Sequence, residues 1–356
     1  MYFFLYNKDM ENDLTLDWLS ISGYEKVLYF KQPSVQLEGY IAIHSTKRGP
    51  ALGGTRFWPY SSQDDALTDV LRLAQGMSYK AAGAELPLGG GKAVLIGHPN
   101  QLKSPAYFHA YAHVVNLFQG TYITAEDMNI GTEDIRLIAE KTVHVVGRTD
   151  KSGNPSPWTA LGVFHGVLAT CEVAYPTRDV SSLSFGIQGV GETGFHFLQL
   201  LVDHGVKHIT IADINPEKIT RVQTRFPFVK VVDDHTLLSL PVDVLCPCAF
   251  GGILNAHTLP TIQAKAIAGS ANNIFLDLEK DPHRFHEAGI LVAPDYIINA
   301  GGLINVFHEV INDLDPQRSK AEVVKIGDRL RRLYQDVAAK HVNPFTLSLS
   351  TIQKTF

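Results

Sequence analysis

The chain has 356 residues, 45% hydrophobic and 19% charged, with a formal net charge of −5. This suits about two domains with buried cores and excludes global disorder, collagen-like and low-complexity architectures. The mild acidity lacks the basic footprint of a nucleic-acid binder, three cysteines are too few for a disulfide framework, and no HExxH pair or zinc-spaced Cys/His cluster suggests a metal.

The opening segment, MYFFLYNKDMEND, has no basic n-region and turns acidic quickly, so it does not read as a signal peptide. No apolar run reaches 18 residues, so no membrane-spanning helix is expected. With so few cysteines, the chain reads as cytoplasmic. Up to about residue 150 it mixes β-rich stretches with one strong helix. Tyr40–His44 reads as a strand leading into the loop KRGPALGGTR. Ser61 and Ser62 then precede Asp64 and Asp65, a helix-start signal. Leu67, Val70, Leu71, Ala74 and Met77 recur at helical spacing, and Lys80 lies at the edge of that apolar face.

Residues 76–96, GMSYKAAGAELPLGGGKAVLI, read as a glycine loop bearing a lysine. Leu86 and Ala93 stand where a Walker A motif needs Gly and Ser or Thr, so that reading fails. Lys80 and Lys92 suit a small-substrate site instead. Two ammonium groups in one pocket lower each other's pKa, so one can act as a base while the other holds a carboxylate. The bland alternative is two surface lysines. Asp127, after the strand-like YIT, is either a cleft acid or a helix cap.

Gly147–Pro157 is rich in turn formers and reads as a hinge. Beyond it, SFGIQ, HITIAD, VKVV, VDVLC and AKAIAG read as strands alternating with helices, which argues for a parallel, doubly wound sheet. Gly189, Gly191 and Gly194 form GxGxxG between the first of these strands and its helix, and Asp213 ends the second strand. Glycines for the turn, helix N–H groups for phosphates and an acid for the ribose 2′-OH make a dinucleotide site. The acid favours NAD over NADP. The alternative is a glycine-rich turn of an unrelated α/β unit. Cys246 and Cys248, in C-P-C, read as small buried residues rather than ligands. Asp315 to about Lys340 is helical in pattern, whereas the last residues are polar and weakly patterned.

Several segments in order, GPALGGTRFWPY, GMSYKAAGAELPLGGGKAVLIG, YITAEDM, GNPSPWTALGVFHG, GVGETG, PCAFGG, AGSANN and PDYIINAGGLINV, resemble the Glu/Leu/Phe/Val dehydrogenase superfamily, nearest to its leucine enzymes. The likeness runs from about Gly49 to Val306. It implies an N-terminal α/β substrate and dimerisation domain (1–150), a Rossmann-type NAD-binding domain (151–315) separated from it by a cleft, and a C-terminal helical segment (316–356) returning toward the first domain.

The resemblance also implies reversible oxidative deamination of an L-amino acid, giving the 2-oxo acid, ammonium and NADH. Carried over by motif, Lys80 would bind the substrate carboxylate, Lys92 would be the general acid/base, and Asp127 would handle the amino group and proton relay. Gly53, Gly54, Met77 and Asn273 would contact substrate. Leu52, Ala125, Leu303 and Val306 would wall its side chain. These apolar walls favour leucine, valine or isoleucine and exclude glutamate, because nothing pairs a second carboxylate. Leu303 belongs to the phenylalanine-enzyme pattern, so an aromatic substrate is the alternative, as is a non-catalytic relative that binds NAD or an amino acid. Cofactor contacts would come from Thr159, Gly189, Val190, Gly191, Glu192, Thr193, Gly194, Asp213, Cys248, Ala249, Asn272 and Asn299. Glu192 stands where leucine enzymes usually carry Asn, next to the expected pyrophosphate. The likeness further implies a homo-oligomer, dimer or octamer. The family's last helical segment is not recognisable after His341.

Overall fold

A computed structural model describes residues 13–148 and 151–356. Residues 1–12, read above for a leader, and Thr149 and Asp150 of the expected hinge lie outside the described residues. The chain divides into two compact units, one up to Gly153 joined by Thr355 and Phe356, the other Asn154–Lys354.

Among the described residues the first unit has a seven-stranded sheet: β1 (Thr15–Leu19), β2 (Lys26–Gln32), β3 (Leu37–Ser45), β4 (Ala51–Leu52), β5 (Thr55–Trp58), β6 (Gly89–Ile96) and β7 (Tyr122–Ile123). β1, β2, β3 and β6 are antiparallel neighbours, and β4 and β5 run parallel to β6. The expected glycine loop is therefore a central strand. β6 is buried along almost its whole length, with Ala42 opposite Lys92.

Four helices accompany this sheet among the described residues: α1 (Gln63–Gly83), α2 (Pro99–Leu102), α3 (Pro105–Asn116) and α4 (Thr132–Ala139). α1 starts where the sequence signals it. The Ser62 hydroxyl accepts the Asp65 N–H at 3.1 Å, and two aspartates face the positive helix end. Its Ala66, Val70 and Ala74 pack on Val27, Tyr40, Ala42 and Val94. The opposite sheet face, with Ile41, Ala93 and Leu95, packs on α3 through Tyr107, Phe108, Tyr111 and Val114. Sequence reading finds only α1 here. α3 is apolar nearly all round, so it shows no amphipathic period.

In the second unit β8 (Ser184–Gln188), β9 (His208–Ala212), β10 (Lys230–Val231), β11 (Val244–Pro247), β12 (Ala266–Ile267) and β13 (Leu291–Val292) are all parallel. Their order, β10-β9-β8-β11-β12-β13, is the doubly wound arrangement that binds dinucleotides at its switch point. Around it lie α5 (Ser156–Ala174), α6 (Glu192–Asp203), α7 (Pro216–Arg225), α8 (Asp234–Ser239), α9 (Asp281–Glu287), α10 (Asp295–Ile298), α11 (Gly301–Val310), α12 (Pro316–Lys340) and α13 (Pro344–Gln353). α12, capped by Asp315, packs along α5 within this unit.

α13 forms in the stretch after His341 that reads as polar and weakly patterned, where the family's last helical segment is not recognisable from the sequence. Asn343 caps it by accepting the Thr346 N–H at 2.9 Å, and Pro344 occupies its first turn. Phe345, Ser348 and Ile352 form its buried face. Phe345 packs edge-on against Phe275 at 4.7 Å, burial worth roughly 1.5–3 kcal/mol. Ser348 escapes a hydrophobicity scan, yet its burial is satisfied by the Tyr296 hydroxyl at 2.6 Å.

Candidate functional site

Strand alternation decides where Lys92 goes. Gly90, Lys92 and Val94 share the β6 face that α1 covers, since a Cβ on Gly90 would collide with Ser78 of α1. Met77 and Lys80, three residues apart on α1, lie one helical turn from each other, and both are half-buried. Met77 Cγ would stand 3.3 Å from a Cβ on Gly53. α1 thus brings Met77 to the step between β4 and β5, where Gly53 and Gly54 lie.

That step explains the two glycines. A side chain on Gly53 would strike the Gly91 carbonyl, and one on Gly54 would strike the Glu126 carbonyl and come within 3.0 Å of Asp127 Cβ. Close backbone packing therefore demands glycine at both positions. Tyr122 locks the step by donating its hydroxyl hydrogen to the Gly53 carbonyl at 2.7 Å.

Lys92 and Asp127, 35 positions apart, meet here. The Lys92 ammonium, with a side chain 6% exposed, lies 3.1 Å from Asp127 Oδ2. Burial by itself would raise the Asp127 carboxyl, but Lys92 and Arg56 outweigh it and hold the group down to about 2. Arg56 was missed by sequence reading. Its Nε donates to the same Asp127 Oδ2 at 3.1 Å, and its Nη1 donates to Asp69 Oδ2 at 2.9 Å. Asp69 Oδ2 also accepts the Tyr60 hydroxyl at 2.7 Å. A signal existed. Arg56 and Asp69 sit on neighbouring elements, and Arg56 alternates with Thr55 and Phe57, which face the opposite core. Leu52 is buried in β4, while Ala125 is half-buried beside Asp127.

In the second unit the chain leaves β8 through Gly189, whose φ of +90° suits glycine. A Cβ there would also crowd Ala249 Cβ at 2.7 Å, and one on Gly194 would strike the Gly189 carbonyl. These contacts bind the turn to Cys248 and Ala249 at the end of β11. Gly191 is different: its Cβ would meet only Lys218 Nζ, at 3.8 Å. It caps α6 with no side chain of its own, so no capping side chain takes up the first-turn N–H groups of Glu192, Thr193 and Gly194. Asp213 braces the turn by accepting from Val190 N and Asn215 N, both at 2.8 Å.

Glu192 is neutralised rather than aimed at an anion. Arg221 pairs with it at 2.7 Å while stacking on Phe195 at 3.8 Å. Burial raises both thiols of C-P-C, so neither Cys246 nor Cys248 is a ready thiolate.

Asn272, Asn273 and Asn299 come together beyond β12. Asn299 Nδ2 donates to Asn272 Oδ1 at 2.9 Å and to the Ser270 carbonyl at 3.1 Å, while the Asn273 N–H donates to Asp295. Asn299 is 4% exposed, and among the described residues no hydrogen-bond donor reaches its Oδ1. An orphaned buried acceptor of this kind calls for an external donor. A carboxamide would supply one, so the residues present fit a nicotinamide dinucleotide. Gly301 and Gly302 press the start of α11 against Trp158 and Thr159, with Thr159 Oγ1 2.7 Å from a Cβ on Gly302. Leu303 and Val306 are buried on that helix. The two groups of residues thus belong to separate units: Leu52, Gly53, Gly54, Met77, Lys80, Lys92, Ala125 and Asp127 to the first, the remainder to the second.

Comparison with known proteins agrees with both halves. Residues 27–144 match the Glu/Leu/Phe/Val dehydrogenase dimerisation domain, and residues 156–346 match the Glutamate/Leucine/Phenylalanine/Valine dehydrogenase domain. An L-tryptophan dehydrogenase from Nostoc punctiforme (strain ATCC 29133 / PCC 73102) is 42% identical over 316 residues, 89% of this chain and 88% of that protein. A leucine dehydrogenase from Geobacillus stearothermophilus is 42% identical over 322 residues, 89% of this chain and 86% of that protein. The crystal structure of L-tryptophan dehydrogenase from Nostoc punctiforme superposes with a TM-score of 0.80 at 37% identity, covering 94% of this chain and 96% of the other.

Proposed function

Because the chain belongs to the Glu/Leu/Phe/Val dehydrogenase family, amino-acid dehydrogenases that use NAD, we propose that it oxidatively deaminates apolar L-amino acids reversibly, with leucine, valine and isoleucine preferred. The observation that carries this reading is the buried Lys92–Asp127 pair at 3.1 Å, beside the α1 face that bears Met77 and Lys80.

When bound, NAD would supply the acceptor for the hydride of the substrate α-carbon. The chain's own residues handle everything else. Lys80 holds the substrate carboxylate, with Met77, Gly53 and Gly54 against the substrate backbone. Asp127 accepts hydrogen bonds from the amino group. Loss of hydride leaves an imine; water adds to its carbon, and Lys92 takes the water's proton. Returned to nitrogen, that proton makes ammonia the leaving group, and Lys92 takes the hydroxyl proton as the carbonyl of the 2-oxo acid forms. A cationic lysine also stabilises the oxyanion developing on the way.

On the cofactor side, the α6 N–H groups and the Gly189–Gly194 turn suit the pyrophosphate, Asp213 the ribose hydroxyls, and Asn299 with Asn272, Thr159, Cys248 and Ala249 the nicotinamide end. Asn273 contacts the substrate. Leu52, Ala125, Leu303 and Val306 surround its side chain and offer no partner to a second carboxylate. Aromatic amino acids are a second reading, favoured by Leu303 and by the tryptophan dehydrogenase relative. The expected homo-oligomer and cytoplasmic location belong to the same proposal; no helix among the described residues is long and apolar enough to cross a membrane.

The test is NADH absorbance with leucine, valine, isoleucine, phenylalanine and tryptophan at alkaline pH. Turnover with branched-chain substrates supports the reading. A higher kcat/KM for aromatic substrates shifts it to the second, and NAD binding without turnover of any of them refutes both.

A further inference from the structure

We propose that Arg56 is a positioning residue for this reaction: it fixes one oxygen of Asp127 together with Lys92, so that the other oxygen is presented to the substrate amino group. The inference rests on the dehydrogenase reading above and extends it to a residue to which the resemblance assigns no role.

The geometry is specific. Lys92 Nζ and Arg56 Nε both reach Asp127 Oδ2 at 3.1 Å. Among the described residues no side-chain donor reaches Asp127 Oδ1. The Met128 backbone N–H also bonds this carboxyl. A carboxylate held on one oxygen by two cations keeps its orientation and leaves acceptor capacity on the other oxygen for the substrate.

Arg56 is itself held. Asp69 Oδ2 accepts its Nη1 at 2.9 Å and the Tyr60 hydroxyl at 2.7 Å, while Arg72 reaches Asp69 Oδ1 at 3.5 Å. The Arg56 side chain is 20% exposed, and that of Asp69 15%. Burial, then hydrogen bonding to Asp69, pushes the Tyr60 hydroxyl far above its ordinary range, so it stays a donor at every working pH. The planar guanidinium sends two N–H groups in fixed directions, one to each aspartate. A lysine ammonium on the same strand serves one of them at a time.

Arg56 also shares the Asp127 charge with Lys92, so an Arg56 variant leaves that carboxylate with one cation in place of two.

The experiment compares wild type with Arg56→Gln, Arg56→Lys and Asp69→Asn. In Arg56→Gln, kcat is expected to fall about tenfold to a hundredfold while NADH affinity, read by nucleotide fluorescence, stays unchanged. KM for the amino acid should change far less than kcat, because Lys80 still holds its carboxylate. Arg56→Lys should recover only part of kcat, and Asp69→Asn should lower kcat by less than Arg56→Gln does. A rise in KM with an unchanged kcat, or full rescue by Lys, overturns the proposal. Crystal structures of wild type and Arg56→Gln provide a readout independent of turnover. The Asp127 carboxylate should rotate away from its wild-type position, and an unmoved carboxylate overturns the proposal. A wild type inactive on every amino acid would instead sink the functional reading, leaving the structural comparison to decide the role of Arg56.

Discussion

Asp127→Asn tests the site's electrostatics most sharply. Asn keeps the shape of the carboxyl and mimics its protonated form. In the folded protein Lys92 and Arg56 overcome burial and hold the Asp127 carboxyl at about 2. Against an ordinary value near 3.8, the difference corresponds to about 2–3 kcal/mol of folding free energy. The side chain is 28% exposed, so this sits below the roughly 3–5 kcal/mol found when fully buried pairs are broken. The sign follows from the depressed folded value. The contribution is complete above the unfolded value, about half remains near pH 3, and it vanishes as pH falls through the folded value. Urea unfolding followed by tryptophan fluorescence at pH 7, 4 and 3 should show wild type ahead of Asp127→Asn by about 2–3 kcal/mol at pH 7, with the gap roughly halved at pH 3. A gap that is absent at pH 7, or that does not shrink in acid, would refute the reasoning.

Other variants probe the remaining links. Lys92→Ala should lower turnover roughly a thousandfold while leaving NADH affinity intact, and near-wild-type kcat would remove Lys92 from the chemistry. Gly53→Ala forces a Cβ onto the Gly91 carbonyl next to Lys92, and should lose about 3 kcal/mol or more of stability; Gly76→Ala, with open space around it, should gain roughly 0.5–1 kcal/mol. Equal effects from the two would contradict the packing account of Gly53. Asn343→Ala removes the α13 cap and should destabilise by about 1 kcal/mol in chemical denaturation, whereas no change would make the cap irrelevant.

Legibility followed the range of the interactions. Local signals worked well. Ser62 with Asp64 and Asp65 starts α1, Asn215 with Pro216 starts α7, and GxGxxG sits between β8 and α6 as its spacing required. Signals that depend on tertiary packing did not. Gly89, Gly90 and Gly91 look like loop punctuation, yet they form a central strand because α1 and neighbouring strands leave no room for side chains there. Arg56 stands in GPALGGTRFWPY yet gains no role from it, because its partners are 13 and 71 positions away. α13 hides behind serines whose hydroxyls find partners only in the folded state. Glu192 looked unfavourable near a phosphate site because Arg221, 29 positions on, could not be seen to neutralise it.

The central claim is that this chain moves a hydride from the α-carbon of an apolar L-amino acid to NAD. Initial-rate NADH formation with leucine, valine, isoleucine, phenylalanine, tryptophan and glutamate, each with saturating NAD, addresses it directly. The account predicts turnover with the apolar substrates, highest kcat/KM among the branched-chain ones, and none with glutamate. Glutamate as the preferred substrate, or no NADH from any apolar amino acid, would contradict it.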